Sequence, residues 1–188
     1  GGLVGAAVAR GLAGRGLSTA ILDEGDVAHR ASRGNFALVW VQSKGLGMAR
    51  YGAWTRLPSD AWGDFARELR EETGTDVAHR RPGGFSLALS QEELEKRQSA
   101  LVRMHNQPGW IPYDFEVLDR AAVEREFPDV GPDVAGAVYC PLDGHVNSLR
   151  LFRALHESFR ARGGRYVPER PVEAIARDGA GFRIGTAR

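Results

Sequence analysis

The sequence predicts an α/β fold, in which a parallel-sheet domain of the Rossmann type is incomplete at its start and interrupted by an inserted α+β segment. Three observations predict this fold. Glycines open the chain directly before a helix, an acidic residue ends the apolar strand that follows, and a helix followed by strands returns after residue 147. We expect residues 1–80 and 147–188 to form the nucleotide-binding domain, and residues 81–146 to form part of an inserted domain.

The opening run Gly1-Gly2-Leu3-Val4-Gly5 fits the end of a G-x-G-x-x-G fingerprint. Gly2 and Gly5 match its second and third glycines, so the first glycine and its strand would lie upstream. We therefore expect a piece of a longer protein. Amides at a helix start donate to a pyrophosphate, and the helix dipole favours an anion there. Gly2 would allow close approach of the phosphates, and Gly5 would allow the helix to lie close to the sheet.

Asp23 is the second half of this signal. The first helix is expected to end at Gly14-Arg15-Gly16, and residues 17–22 form a short apolar strand that Asp23 terminates. In a Rossmann unit, an acid at this place hydrogen-bonds the ribose of a dinucleotide, and its charge disfavours a 2′-phosphate. The alternative is a glycine-rich helix start beside an ordinary surface acid. The order of glycines, helix, strand and acid favours the dinucleotide site.

Composition excludes several other classes of protein. The 188 residues are 43% hydrophobic and 26% charged, which is compatible with a packed core, and the net charge of +1 gives no basic field for nucleic acid. Cys140 is the only cysteine, so we expect a small buried residue and no disulfide. The histidines show no metal-ligand spacing, and no metal is expected. No secretory signal is visible, but this is uninformative because we expect the start of the protein to lie upstream. Our expectation for the location is cytoplasmic.

Hydrophobic periodicity predicts the remaining elements. Helices are expected over 44–57 and 59–73, with Pro58 breaking or kinking the path between them, and Trp54 and Trp62 are expected in the core. A shorter helix is expected over 120–127. Strands are expected over 85–89, 135–139, 166–167, 172–176 and 182–184.

Two further helices have recognisable start signals. Ser90 and Glu93 fit a capping box, in which the glutamate side chain reaches back to the helix start, for a helix that runs to about residue 107. Ser148 is the expected cap of a helix that ends at Gly163-Gly164. The apolar stripe of this helix consists of Leu149, Phe152, Leu155 and Phe159. Since strands follow this second helix, we expect the nucleotide-binding sheet to resume there.

The order of these parts resembles the glycine oxidase / D-amino-acid oxidase-like family of FAD-dependent oxidoreductases, over nearly the whole chain. The matching stretches are Gly1-Gly2-Leu3-Val4-Gly5, Ile21-Leu22-Asp23-Glu24-Gly25-Asp26, Ala31-Ser32-Arg33-Gly34-Asn35, Arg81-Pro82-Gly83-Gly84-Phe85-Ser86-Leu87, Asp143-Gly144-His145-Val146-Asn147 and Pro171-Val172. The resemblance implies an FAD-binding domain with an inserted substrate domain. It also implies oxidation of an amine or amino acid, with hydride leaving Cα for the flavin and the resulting imine being hydrolysed.

The same resemblance implies which residues contact the cofactor. The opening glycines would face the FAD pyrophosphate, and Asp23 would take the place of the usual glutamate on the adenosine ribose. Residues 31–33 would contact phosphate and ribityl groups, and Val172 would touch the adenine through its backbone. The implied cofactor-binding residues are Gly1, Gly2, Leu3, Val4, Gly5, Asp23, Glu24, Ala31, Ser32, Arg33, Asn35 and Val172. Some relatives attach FAD covalently to a histidine. The sequence around His29 differs from the sequence around that histidine, so we expect FAD to bind non-covalently.

In relatives, the residues that hold the substrate come largely from the later half of the chain, so no catalytic residue is named and the chain alone is expected to be inactive. The expected partners are a small amine or amino acid and no nucleic acid, and a homo- or hetero-oligomer stays open. Two alternatives remain: an NAD-dependent dehydrogenase module, and a non-catalytic flavin-binding component of a hetero-oligomeric oxidase.

Overall fold

The computed structural model describes residues 1–25, 31–32 and 34–187. His29 and Arg33 lie outside the described residues. The helices are α1 (Leu3–Ala13), α2 (Ala49–Thr73), α3 (Gln91–His105), α4 (Arg120–Glu126) and α5 (Ser148–Ala161). The strands are β1 (Ala20–Leu22), β2 (Leu38–Val39), β3 (Gly84–Ala88), β4 (Glu116–Asp119), β5 (Gly136–Cys140), β6 (Gly144–His145), β7 (Arg165–Val167), β8 (Val172–Asp178) and β9 (Gly181–Thr186).

The chain divides into two compact units, and each is described by itself. The first unit contains residues 1–37, 65–78 and 147–188, and the second contains residues 38–64 and 79–146. The structure differs from the predicted segments over 38–64, which cluster with the second unit. The physical reason is strand pairing, because β2 is hydrogen-bonded to β6 in an antiparallel pair within that unit.

The first unit contains a parallel pair of strands beside packed helices. β1 pairs with β7 in parallel, with Ile21 opposite Tyr166, so the strand that follows α5 lies beside the first strand of the chain. In α1 the buried residues include Ala6, Ala9 and Ala13, which share one face of the helix and pack in contact with α5. β8 and β9 form a separate antiparallel hairpin.

A buried arginine connects three helices of this unit. Arg10 of α1 donates from Nε to the Ser158 hydroxyl of α5 at 2.6 Å, and its Nη2 lies 2.9 Å from Glu68 and 3.0 Å from Glu72 of α2. Glu72 also accepts hydrogen bonds from Ser158 and Arg162. Burial alone would raise the pKa of Glu72, but these hydrogen bonds from Arg162, Ser158 and Arg10 lower it to about 2. The network therefore holds an ionised carboxylate between the helices.

The second unit is built on an antiparallel sheet of order β3-β5-β4, with α3 and α4 packed against β5. Alternating side chains of this sheet join α3 in one hydrophobic core. Its buried residues are Val41, Ala88, Leu94, Leu101, Met104, Tyr113, Val138 and Cys140. The prediction that Cys140 is buried is confirmed, and burial raises the pKa of its thiol to about 11.

A single buried carboxylate joins two distant segments of this unit. Asp143 is fully buried and accepts hydrogen bonds from the backbone N–H groups of Val41 and Gln42, and from the Gln42 side chain at 2.7 Å. Burial raises the pKa of Asp143, against the opposing effect of these hydrogen bonds. Glycines surround it because space is short: a Cβ at Gly84 would meet the Cβ of Asp143 at 2.7 Å. The Gly-Gly and Asp-Gly stretches of the family pattern are thus structural here.

Several sequence predictions need correction in detail. Residues 49–73 form one continuous helix with Pro58 inside it, because Pro58 lies on the exposed face, where the carbonyl freed by its missing N–H can reach solvent. Trp54 lies on that face and is 69% exposed, so the prediction of a core position was wrong. Trp62 is half-buried and stacks on His79, with ring centroids 5.8 Å apart.

Of the two helix caps predicted from the sequence, one is confirmed and the other is wrong. Ser90 accepts from the Glu93 N–H at 3.1 Å, as expected, although the Glu93 side chain bonds the N–H of Leu89, one residue before the cap. At α5 the cap is Asn147 and not Ser148, since the Asn147 side chain accepts from the Arg150 N–H at 2.9 Å. Asparagine and serine are equally good caps, so the sequence alone did not separate the two positions.

Candidate cofactor site

A cleft of about 670 Å³ opens in the first unit beside the start of α1 and the end of β1. Seven of the predicted cofactor residues line it: Gly1, Gly2, Asp23, Glu24, Ala31, Ser32 and Val172. Five residues that the sequence did not single out complete the lining: Leu22, Gly25, Phe152, Tyr166 and Arg170. The predicted residues Leu3, Val4, Gly5 and Asn35 are not part of this lining.

The two opening glycines are required by close neighbours. A Cβ at Gly1 would overlap the carboxylate of Asp23, and a Cβ at Gly2 would come within 2.7 Å of the Ser32 hydroxyl. Gly5 is different, because a Cβ there meets no described atom within 4 Å. The close packing expected of Gly5 is therefore not made by any described residue, whereas Gly1 and Gly2 allow the start of α1 to lie close to Asp23 and Ser32 at the edge of the cleft.

Asp23 is held in place by backbone bonds on both sides. Its N–H donates to the Val167 carbonyl of β7 at 3.1 Å, and its own carbonyl accepts from the Arg170 N–H at 2.8 Å. The carboxylate accepts from the Gly25 N–H at 2.9 Å. With its side chain 22% exposed, this carboxylate faces the cleft from a fixed position, as required of a group that recognises sugar hydroxyls.

The start of α1 is capped by a side chain from another segment. The Leu3 N–H donates to the Ser32 hydroxyl at 2.9 Å, so Ser32 satisfies one of the amides that a helix start leaves without an intrahelical partner. The Val4 side chain is exposed and points away from the core. The predicted contact between the Ala31-Ser32 turn and the phosphates stays a prediction, and the bond shows how that turn is positioned at the helix start.

An aromatic wall closes one side of the cleft. Phe152 of α5 and Tyr166 of β7 line it, and the ring of His156 lies between them, with centroids 4.7 Å and 5.0 Å away. His156 Nε2 is 2.8 Å from the Gly1 carbonyl, which can only accept, so this nitrogen carries the hydrogen. Burial lowers the pKa of His156 and favours the neutral ring, against the opposing effect of the hydrogen bond to the Gly1 carbonyl.

Asn35 has a local role in the described structure. Its side-chain oxygen accepts from the Ala37 N–H at 2.5 Å, which supports Ala37 in a left-handed conformation with φ of 57°. Among the described residues, no group of three histidine, cysteine or acidic side chains is placed to hold a metal ion. No helix in the described part of the chain is long and apolar enough to cross a membrane.

Glycines at a helix start, a fixed carboxylate at the end of the next strand and an aromatic wall define a dinucleotide site of the Rossmann type. The profile of the FAD-dependent oxidoreductase family, DAO, matches residues 1–188, and the chain belongs to this family. Members of the family use FAD. The start of α1 and the Asp23 carboxylate both line the cleft, and backbone N–H donors and a carboxylate acceptor are the groups that suit a diphosphate and a ribose.

Comparison with known proteins gives a consistent result. The chain is 43% identical to one of the subunits of opine oxidase from Agrobacterium tumefaciens (strain Ach5), over 97% of the chain and 49% of that protein. It is 40% identical to the same component of the opine oxidase from Rhizobium meliloti, with the same coverage. The crystal structure of glycine oxidase from Geobacillus kaustophilus matches with a TM-score of 0.88 and 26% identity, covering 99% of this chain and 49% of that one. The chain thus spans about half the length of these relatives.

These findings confirm the predicted family, FAD as the cofactor and the mixed α/β fold. They also remove the NAD-dependent dehydrogenase as an explanation of the glycines and the acid, because the family match extends over the whole chain. The aromatic residues of the cleft were missed because Phe152 was assigned to the apolar stripe of its helix. A helix stripe predicts burial, but it does not distinguish a core position from the wall of a cleft.

Proposed function

We propose that the full-length protein catalyses the FAD-dependent oxidation of an amine or amino acid at a C–N bond. The observation that carries this proposal is the cleft of the first unit, which Gly1, Gly2 and Asp23 line, because a helix start and a carboxylate at a strand end suit the diphosphate and ribose of FAD. When bound, FAD supplies the oxidising chemistry, which takes a hydride equivalent from the substrate Cα and leaves an imine that water hydrolyses.

The residues of this chain contribute binding and orientation. The helix start and Gly2 receive the diphosphate, Asp23 accepts from the ribose hydroxyls, and Phe152 and Tyr166 exclude water from one side of the cleft. No described residue is assigned to substrate binding or proton transfer, because the chain spans about half of its relatives. We expect those groups in the remainder of the full-length protein.

We further propose opines, which are amino acids carrying a carboxyalkyl group on nitrogen, as the first substrates to test. Two relatives with at least 40% identity are named as components of opine oxidases, which supports both this substrate class and membership in a hetero-oligomer. Glycine oxidase is the more distant relative. Simple amino acids are therefore the second class to test.

The direct experiment uses the full-length protein. It is purified alone, and also after co-expression with its companion chain, which is the other subunit of the proposed hetero-oligomer. We expect flavin absorption bands in the visible spectrum that are released by denaturation. We also expect turnover of an opine, with an artificial dye as electron acceptor, in at least one of the two preparations. A preparation without flavin that takes up none would contradict the proposal.

The alternative of a non-catalytic flavin-binding component makes a different prediction. It requires bound flavin that no opine, amino acid or amine in the panel reduces under anaerobic conditions, whether the companion chain is present or not. Bleaching of the flavin bands of the isolated protein by one substrate excludes this alternative, since the isolated protein then accepts the electrons itself.

A further inference from the structure

We infer that the second unit contains a separate binding site for a small carboxylate. A pocket of about 90 Å³ lies between the loop after β2, the sheet strands β3 and β5, and one face of α3. Its lining includes Gln42, Ser43, Ser86, Arg97, Leu101 and Met104. None of these residues lines the cleft of the first unit, so the proposal goes beyond the function proposed above.

Arg97 identifies the chemistry of the ligand. Its Nε is buried and has no hydrogen-bond partner in the described structure, whereas its Nη2 donates to Glu93 at 2.6 Å. Glu93 takes only one edge of the guanidinium and also accepts from the Leu89 N–H. Leaving a buried cationic N–H without a partner is costly, and a guanidinium can only donate. An acceptor oxygen, best supplied by a carboxylate, would satisfy it.

Ser43, another residue of the pocket lining, has a disfavoured backbone conformation. Ser43 has φ of 60°, in the left-handed region that residues other than glycine, asparagine and aspartate rarely adopt. The preceding residue is fixed, because the Gln42 side chain donates to the Gly84 carbonyl at 2.9 Å and to Asp143 at 2.7 Å. Strained residues with rigid support are typical of ligand sites, and both Ser43 and the supported Gln42 line the pocket.

The size and polarity of the remaining wall limit the ligand. Leu101 and Met104 are buried core residues of α3, so the ligand needs an apolar body next to its acid group. A cavity of about 150 Å³ holds a benzene molecule, so this pocket accepts a body of about four non-hydrogen atoms. A carboxylate of two or three carbons, which has four or five non-hydrogen atoms, is close to this size, either as a free acid or as the end group of a larger molecule.

The two methionines of this chain provide a local test. Met104 lines the pocket, and Met48 of the same unit is exposed and does not line it. In the full-length protein labelled with methyl-¹³C methionine, the two signals are assigned with Met104→Leu and Met48→Leu. Propanoate is then titrated at constant ionic strength. Propanamide serves as the neutral isostere, and N-(1-carboxyethyl)glycine presents the same acid group on a larger molecule.

We expect propanoate to shift the Met104 signal saturably and to leave the Met48 signal in place. Propanamide should bind about tenfold more weakly, as should propanoate to Arg97→Gln, since each change removes one charge-assisted hydrogen bond. Arg103→Gln is the matched control, because Arg103 is an exposed arginine of the same helix. If N-(1-carboxyethyl)glycine also shifts the Met104 signal, the site recognises the end group of a larger molecule. If it does not, the site binds only the small free acid.

Three results would overturn the inference: a Met104 signal that propanoate does not move, equal binding of propanoate and propanamide by the unaltered protein, or equal binding by Arg97→Gln and Arg103→Gln. The comparison of propanoate with propanamide needs no variant, so it holds even if Arg97→Gln fails to fold. The readout involves neither flavin nor turnover. Failure of the activity assay above therefore leaves this test unchanged.

Discussion

The groups of the first unit that we assign to the diphosphate and ribose lie close together in sequence, whereas the structure around the pocket of the second unit depends on residues far apart. Gly1, Gly2 and Asp23 meet within the first 25 positions of the chain. In the second unit, Asp143 binds the backbone of Val41 and Gln42 across about a hundred residues. Local backbone signals therefore predict the first site, while the second depends on side-chain contacts that only folding brings together.

The largest expected effect is a loss of stability when the long-range contact made by Asp143 is removed. Replacing the fully buried Asp143 by alanine would leave three donors of Val41 and Gln42 without an acceptor. We expect the free energy of unfolding to fall by about 3 kcal/mol or more. Urea unfolding of the full-length protein measures it, with the exposed Asp129→Ala as control. A loss within about 0.5 kcal/mol, which is ordinary for a surface change, would contradict this account of the second unit.

The second-largest expected effect is a loss of FAD affinity when Gly2 of the first unit is replaced. In Gly2→Val, the new side chain would occupy the space beside Ser32 that is assigned to the diphosphate. We expect FAD affinity to fall about tenfold or more. The backbone of Gly2 is in an extended conformation that valine adopts, so the variant should still fold, but with some loss of stability, because the new Cβ would come within 2.7 Å of the Ser32 hydroxyl that caps α1. Flavin fluorescence titration measures the dissociation constant.

The matched control for this prediction is Gly11→Val in the same helix, where a Cβ meets no atom within 4 Å. Valine is a better helix former than glycine, so this variant should fold at least as well. Equal FAD affinity for the two variants would show that Gly2 is not next to the phosphates.

A smaller effect is expected at the ion network of the first unit. Because hydrogen bonds lower the pKa of Glu72 to about 2, the unfolded state binds a proton more readily than the folded state. Stability from Glu72 is present above pH 4.5, the ordinary value for a glutamate, and is lost as pH falls toward 2. We expect Glu72→Gln to cost about 1 kcal/mol at neutral pH.

The difference in unfolding free energy between the unaltered protein and Glu72→Gln should shrink as the pH falls from 4.5 toward 2. Thermal or urea unfolding over this range measures it, and both proteins share the other titrating carboxylates. A difference that stays constant with pH would show that the network does not stabilise the ionised form.

The same contrast explains how much the sequence could predict. Helices with strong periodicity or caps, such as α3 and α5, were predicted with nearly correct bounds, because their signals lie within one or two turns. The two-residue strands β2 and β6 were missed, since such short strands have no periodicity and exist only by pairing with each other. Pro58 misled the prediction because a proline on an exposed helix face is tolerated when solvent satisfies the freed carbonyl.

Within the candidate cofactor site, the glycines and Asp23 could be predicted because their chemistry is tied to fixed positions in a strand-helix-strand unit. Tyr166 and Arg170 could not, because they approach the cleft only through the pairing of β7 with β1. Asn147 and Ser148 show the limit at a helix start, where two adjacent polar residues carry the same signal.

The most direct test of the central claim is the dissociation constant for FAD of Asp23→Ala in the full-length protein, compared with Asp76→Ala. Both aspartates accept a hydrogen bond from the backbone N–H two residues later, but Asp76 does not line the cleft. If the Asp23 carboxylate holds the ribose, Asp23→Ala should weaken FAD binding by about tenfold or more, and Asp76→Ala should leave it unchanged. Equal affinity of the two variants would contradict the assignment of the cleft to FAD.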